Sequence, residues 1–305
     1  MTKVGSDRSV DPLTRDAKEP ISEQNGSTGS LVLVATPIGN LGDISRRAIE
    51  TLSHADLVCC EDTRHTGQLL KKLGIEPKRL LSLHEHNEAG RAVEIVDRIV
   101  RGELVALVSD AGTPVISDPG ERLVASVVGA GLVVSTIPGP SAAIAALSIS
   151  GLPAERFAFV GFLPRKGRGR EARLDVIATS EVTSILYESP LRVRETLEVL
   201  RESCGADRNI AIVRELTKLH EEVWRGTLAE SVVRVDVERR GEHVIVVGPA
   251  KAQLAGSKED FIDKLGRLIE AGLSRRDAAS ALEILLEVPH RVAYQAALST
   301  EPTAK

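Results

Sequence analysis

Leu104-Val-Ala-Leu-Val-Ser-Asp-Ala-Gly-Thr-Pro114 opens with five apolar residues and turns polar within one step. The run fits a buried strand, and Ser109, Asp110, Gly112 and Pro114 fit a sharp turn after it. In a parallel sheet, ligands sit beyond the carboxyl ends of the strands. This turn offers a carboxylate, two hydroxyls and a glycine that lets backbone approach a ligand closely. Two comparable loops flank it: Ala35-Thr-Pro-Ile-Gly-Asn40 after Leu31–Val34, and Ile137-Pro-Gly-Pro-Ser141 after Leu132–Ser135. Each alone reads equally well as a plain strand-to-helix turn; three in register read as a binding site. Asp110 either accepts hydrogen bonds from an amine or ribose hydroxyl, or closes an Asx-turn on nearby backbone.

Outward from these loops, strands are expected at Leu31–Ala35, Leu57–Cys60, Val105–Ser109 and Leu132–Ile137. Helical patterns at Ser45–Ser53, Thr66–Leu73, Arg91–Val100 and Glu121–Gly129 separate them, giving an α/β domain with a largely parallel sheet over residues 31–150. Ser141–Ser150 reads as a small-residue helix capped by Ser141, and Gly151-Leu-Pro153 marks a boundary. A second α/β domain over 151–252 has strands at Phe157–Phe162, Ser184–Tyr187, Ile210–Arg214 and His243–Gly248. Its helices lie near Arg170–Thr179 and Leu191–Arg201. Glu221–Leu228 fits an antiparallel partner, so this sheet is expected to be mixed. A small helix-turn-helix-like module is expected over 257–299, from Phe261–Gly272, Asp277–Leu286 and Val292–Leu298. Residues 1–30 lack apolar periodicity and read as a disordered extension.

Composition bounds the partners. A net charge of -4 makes the chain no polycation, so nucleic-acid contact must come from local basic patches. Aromatic residues make up 2%, which argues against broad base stacking. Cys59, Cys60 and Cys204 form no CxxC pair, so neither a disulfide framework nor a zinc site is indicated. No apolar run spans a membrane and no secretory h-region opens the chain, so a cytoplasmic protein is expected.

Other motifs carry paired readings. The first loop lacks the Gly-Lys-Ser/Thr of a Walker motif and the GxGxxG of a dinucleotide fold, which disfavours phosphate cradling and NAD. Glu61-Asp-Thr-Arg64 follows the second strand and either handles substrate or caps the next helix through Thr63. His84-Glu-His86-Asn87-Glu88 has HxH spacing, but no third ligand is evident; a polar or substrate-contacting loop is the better reading and no metal is expected. Arg165, Lys166, Arg168, Arg170 and Arg173 concentrate positive charge within nine residues of an otherwise acidic chain. Interleaved glycines let such a loop mould to a phosphate backbone, so RNA contact is favoured over a merely solvated loop.

Taken in order, the motifs resemble the tetrapyrrole-methylase superfamily, and within it the branch acting on small-subunit ribosomal RNA. The resemblance runs from Leu31 to about Leu298. It rests on Ala35-Thr-Pro-Ile-Gly-Asn-Leu-Gly-Asp43, Glu61-Asp-Thr-Arg64, Ser109-Asp-Ala-Gly-Thr-Pro114 with Ser117-Asp-Pro-Gly120, and Ile137-Pro-Gly-Pro-Ser-Ala142. Gly161-Phe-Leu-Pro-Arg-Lys166, Tyr187-Glu-Ser-Pro190, His220-Glu-Glu-Val-Trp-Arg-Gly-Thr227 and Gly241-Glu-His-Val244 add to it. The resemblance implies a homodimer of two α/β domains with S-adenosylmethionine (SAM) in the inter-domain cleft. It further implies 2′-O-methylation of a cytidine in the decoding region of 16S rRNA, with the 30S ribosomal subunit as partner. The family's cofactor pattern maps onto Pro37, Ile38 and Gly39, onto Asp110, Ala111, Gly112 and Thr113, and onto Ser141 and Ala142. From the second domain it takes Leu186, Val213 and His243.

A ribose hydroxyl is a weak nucleophile, so a base or alkoxide stabiliser is expected among Glu61, Asp62, Arg64, His84 and Asn87. Two other readings stay open. A corrin- or porphyrin-type small-molecule methylase shares fold and cofactor but gives no use to the basic loop. A non-catalytic ribosome-assembly factor leaves the three loops idle. A phosphate-sugar enzyme would need a Lys or Gly-rich nest that the chain does not offer.

Overall fold

The computed structural model describes residues 29–233, 241–250 and 258–286. Residues 1–28 of the expected extension and the closing Val292–Leu298 segment lie outside the described residues, whereas Ser30, read as part of that extension, is buried and opens the first strand. Two compact units emerge: one ends at Ala145 and also takes Glu215–Glu221, and the other holds Ala146–Arg214 and the described chain from Glu222 onward. The first unit therefore takes in the start of the Ser141–Ser150 helix, and a loop from the second half of the sequence joins it.

The first unit is a five-stranded sheet in the order β3-β2-β4-β1-β5, built from β1 (Ser30–Val34), β2 (Leu57–Cys60), β3 (Leu80–Ser82), β4 (Leu104–Val108) and β5 (Val133–Ile137). Every pairing is parallel. Helices α1 (Arg46–His54) and α2 (Thr63–Lys72) lie on one face, and α3 (Glu88–Val100) and α4 (Glu121–Gly129) on the other. Alternation along β4 explains the double cover: Val105 and Leu107 join Ile95, Ile99 and Leu123 in one core. Ala106 and Val108 join Leu52, Leu70 and Ile137 in the other. A strand apolar on both sides has to be sandwiched, which is why β4 reads as a continuous apolar run. Its position beside β1, with β5 beyond, makes the three polar loops neighbours at one sheet edge.

The second unit has the order β6-β7-β10-β8-β9, from β6 (Phe157–Phe162), β7 (Thr183–Glu188), β8 (Asn209–Arg214), β9 (Glu222–Thr227) and β10 (His243–Val247). β6 runs parallel to β7, whereas β10 is antiparallel to β7 and β8, and β9 to β8, so the sheet is mixed as expected. α6 (Arg168–Thr179), α7 (Val193–Cys204) and α8 (Leu228–Val233) pack on one face through Leu174, Leu197 and Leu228. Arg225 holds the carbonyls of Ile149 and Ser150 (the latter at 3.0 Å), closing the C-terminal end of α5 (Ala142–Ser150). That cation satisfies acceptors a helix end would otherwise leave bare. Beyond the sheet, α9 (Lys258–Glu270) and α10 (Arg275–Leu286) pair as a helical hairpin. Among the described residues no helix is long and apolar enough to cross a membrane.

Candidate active site

The loops after β4, β1 and β5 are laced into one body. Thr36 and Gly112 exchange backbone hydrogen bonds at 2.9 and 3.1 Å, and the Thr36 hydroxyl donates to Ser109 O at 3.0 Å. The Thr113 hydroxyl donates to Pro140 O at 3.1 Å, joining the second loop to the third. Close approach explains the glycines. A Cβ on Gly139 would sit 2.9 Å from Ala35 Cβ, and Gly112 has φ +85° with Ile38 and Pro140 against it. Within this frame one oxygen of Asp110, Oδ1, is buried without a hydrogen-bond partner among the described residues. A bare carboxylate oxygen at a strand end is costly unless a ligand completes it. The Asx-turn reading leaves that oxygen unexplained.

The same loop stores backbone strain. Val115 and Ser117 adopt φ of +76° and +65°, which β-branched valine in particular rarely tolerates. Asp118 secures the segment: its Oδ2 lies 2.5 Å from Ser109 Oγ, which also contacts the Ala111 backbone. Burial pushes the Asp118 carboxyl above its ordinary value, and Asp110 pushes it further against the opposing Ser109 hydrogen bond.

β2 and β3 deliver the expected catalytic candidates to the same edge, and the structure sorts them. Asp62 is the N-cap of α2, accepting from Arg64 N at 2.8 Å, so the capping role expected of Thr63 belongs to its neighbour. Asp62 also binds the Arg64 guanidinium at 2.9 Å, which holds its carboxyl down at about 2. Asn87 is spent on its own turn, accepting from His84 N at 2.9 Å and donating to Ser82 O at 3.1 Å. His84 and His86 lie in that turn, ring centroids 6.1 Å apart. Glu61 differs: burial raises its carboxyl, Asp110 and Asp118 raise it further, and His84 pulls against them.

A segment whose first five residues carry no motif noted in the sequence also belongs here. Glu215–Glu221, between β8 and β9, lies so close to the first loop that a Cβ on Gly39 would fall 2.4 Å from Lys218 Cγ, 2.8 Å from Thr217 Oγ1 and 3.0 Å from Leu216 O. Glu215 and Thr217 take φ of +50° and +66° to get there, and Thr217 Oγ1 is buried without a hydrogen-bond partner among the described residues.

In the second unit, Leu186, Val213 and His243 meet at one sheet end, because β10 begins where β7 and β8 finish. The Leu186 side chain is consumed by the helical core, which leaves only its backbone for a ligand. His243 is buried with Nδ1 2.9 Å from Gly241 O, a contact that assigns the proton to Nδ1. Glu188, from the Tyr187-Glu-Ser-Pro190 motif, is structural: it accepts from Thr196 at 2.6 Å and from Ser189 N at 2.8 Å. Cys59 is buried in the first core, and burial pushes its thiol up to about 12.

The basic run divides in two. Arg170 bridges Glu195 at 2.6 Å and the Arg165 carbonyl at 2.9 Å, and Arg173 donates to Phe162 O at 2.8 Å. Arg165, Lys166 and Arg168 are exposed.

A parallel sheet lined by polar loops and a mixed sheet follow one another along this chain, and a known family matches it. Its profile, that of the tetrapyrrole (corrin/porphyrin) methylases, matches residues 30–232, and the chain belongs to that family. Solved structures agree at the level of fold. The methyltransferase CobJ has a TM-score of 0.56 at 21% identity, covering 75% of this chain and 98% of that one. A Thermus thermophilus uroporphyrin-III C-methyltransferase complexed with S-adenosyl homocysteine scores 0.51 at 18% identity, covering 72% and 97%. The similar curated proteins narrow the branch. A Synechocystis protein named ribosomal RNA small subunit methyltransferase I is 45% identical over 276 residues, 90% of this chain and 99% of that protein. An Escherichia coli O157:H7 protein of the same name is 42% identical over 280 residues, 91% and 97% of the two chains.

Proposed function

We propose that the protein transfers a methyl group from SAM to the 2′-oxygen of a cytidine in the decoding region of small-subunit ribosomal RNA. The 30S subunit is its partner, and it works as a cytoplasmic homodimer, as the family resemblance implies. One observation carries the reading: three interlocked loops at one sheet edge leave a single carboxylate oxygen, on Asp110, without a protein partner among the described residues. The similarity to proteins named for small-subunit RNA methylation supports the substrate class.

The residues fit the cofactor. Asp110 offers an anionic acceptor suited to ribose hydroxyls or an amine, and Ile38 and Gly112 give an apolar, close-packed wall. Pro37, Gly39, Ala111, Thr113, Ser141 and Ala142 belong to the same three loops, while Leu186, Val213 and His243 are assigned on the family pattern. When bound, SAM supplies an already activated methyl on sulfonium, so no metal is required of the protein. The chain's task is alignment, water exclusion and proton removal from the attacking hydroxyl.

For proton removal we assign Glu61. A base with a raised pKa holds a proton more firmly than an ordinary carboxylate. His84 adjoins it electrostatically and serves as its partner. Asp62 and Arg64 are satisfied by each other, and Asn87 by its turn, so these three hold the edge in shape. The reading is tested by calorimetric SAM titration of the protein and of Asp110→Asn, alongside methyl transfer to small-subunit RNA. Loss of SAM binding in a folded variant supports the assignment; unchanged affinity and rate overturn it.

A further inference from the structure

The chain has four phenylalanines and two tyrosines, and three of the former with one of the latter gather in one place. Phe157, Phe159 and Phe162 lie on β6, the edge strand of the second sheet, and are 42%, 37% and 48% exposed. Tyr187 on neighbouring β7 meets Phe159 and Phe162 edge-to-face, with centroids 5.0 and 5.7 Å apart. A register shift between Phe159 and Gly161 produces this cluster: without the extra residue, strict alternation would send Phe159 and Phe162 to opposite faces. Exposing three large apolar rings in a protein this poor in them demands a use.

The chain leaving β6 points to that use. It is held by three guanidiniums, each on a different carbonyl: Arg173 on Phe162 O at 2.8 Å, Arg192 on Leu163 O at 2.9 Å and Arg170 on Arg165 O at 2.9 Å. Arg170 is further neutralised by Glu195, and Arg192 lies 3.5 Å from buried Glu188. These arginines fix the backbone. The side chains of Arg165, Lys166 and Arg168 then project into solvent within a few residues of Phe162.

We propose that this aromatic edge and its basic flank form a docking platform for an unpaired RNA strand. A nucleobase stacks against the Phe162–Tyr187 pair, and the neighbouring phosphates are met by Arg165, Lys166 and Arg168. Stacking is tolerant of sequence because every base has a π-face, and cations beside the ring supply the affinity that stacking lacks. The low aromatic content excludes a broad platform; this one is narrow, one or two bases wide. The assignment deepens the proposed RNA methylation and rests on it for the identity of the RNA. A second copy of the chain fits the patch less well, since the facing surface would have to accommodate the exposed charges of Arg165, Lys166 and Arg168.

The test uses the full-length protein and a single-stranded RNA oligonucleotide carrying 2-aminopurine, whose fluorescence is quenched on stacking. Phe162→Ala should weaken oligonucleotide binding about tenfold and abolish the quench, the scale of one lost stacking contact. Phe162→Trp should restore both, and Phe162→Leu should restore neither, because an apolar contact without a π-face is not enough. SAM affinity should be unchanged in all three. Replacing Arg165, Lys166 and Arg168 together with Ser should flatten the dependence of log affinity on log salt. Rescue by Leu, loss of SAM binding in Phe162→Ala, or a shift in sedimentation showing altered self-association would each overturn the platform. Quenched binding by the unmodified protein without methyl transfer would keep the platform and overturn the proposed reaction instead.

Discussion

Thr36 and Gly112 exchange both backbone hydrogen bonds, at 2.9 and 3.1 Å, and so bolt the loop after β1 to the loop after β4. This two-residue bridge fixes the frame in which Asp110 Oδ1 is buried without a hydrogen-bond partner among the described residues. Gly112→Val should break it. Its φ of +85° strongly disfavours a β-branched side chain, and even a Cβ would stand 3.2 Å from Ile38 Cγ2. A loss of about 2 kcal/mol in stability is expected from the backbone alone. SAM affinity should fall by at least about tenfold, measured by calorimetry on protein whose folding is checked by circular dichroism.

Glu61 and Asp62 are adjacent carboxylates with opposite environments, and kinetics should separate them. Glu61→Gln should lower kcat by about a hundredfold or more while leaving the KM for SAM in place. Its acid limb in the pH–rate profile should lie above the ordinary 4.5, since burial, Asp110 and Asp118 all raise Glu61. Asp62→Ala should lower Tm through the lost helix cap, with little effect on kcat. Equal kcat losses in the two variants would remove Glu61 from its assigned role.

Asp118 should leave a signature in stability against pH. Its folded-state pKa is raised, so the folded protein holds this proton more tightly than the unfolded chain. The resulting contribution is fully present below the unfolded value of about 3.8 and is lost as pH rises through the folded one. Asp118→Asn keeps an acceptor for the Ser109 hydroxyl but cannot ionise. The wild-type Tm minus the variant Tm should therefore fall as pH climbs through that window and then level off. A difference independent of pH would show that the carboxyl titrates normally.

Gly39 should resist any side chain. Alanine there would collide with Lys218 Cγ at 2.4 Å and crowd the Leu216 carbonyl at 3.0 Å, so the Glu215–Glu221 segment would have to lift. Limited proteolysis should then cut Gly39→Ala between β8 and β9 faster than wild type, with a raised KM for SAM. Thr217→Gly, by contrast, relieves a φ of +66° and should raise Tm modestly. An unchanged cleavage rate in Gly39→Ala would show that the segment does not depend on this contact.

What the sequence disclosed, and what it hid, is a matter of range. Apolar runs and turn residues placed β4, β2 and β6 within a residue or two because those signals are local. β3 was missed: Leu80–Ser82 is three residues long, too short for alternation to register. The three loops were legible because each follows its own strand. Glu215–Glu221 was not, because its contact with Gly39 joins distant parts of the chain and its left-handed residues are not glycines. Composition likewise concealed the aromatic edge, since a 2% share says nothing about where the rings gather. Side-chain bookkeeping separated Arg170 and Arg173 from Arg165, Lys166 and Arg168, a division no charge count contains.

The most direct test is transfer of labelled methyl from SAM to undermodified small ribosomal subunits, with naked small-subunit RNA in parallel. The modified position is mapped by resistance of its phosphodiester to alkaline cleavage. A single resistant cytidine in the decoding region, lost in Asp110→Asn, is the predicted result. Failure to label either RNA by a protein that binds SAM would contradict the account and direct the search to small-molecule acceptors.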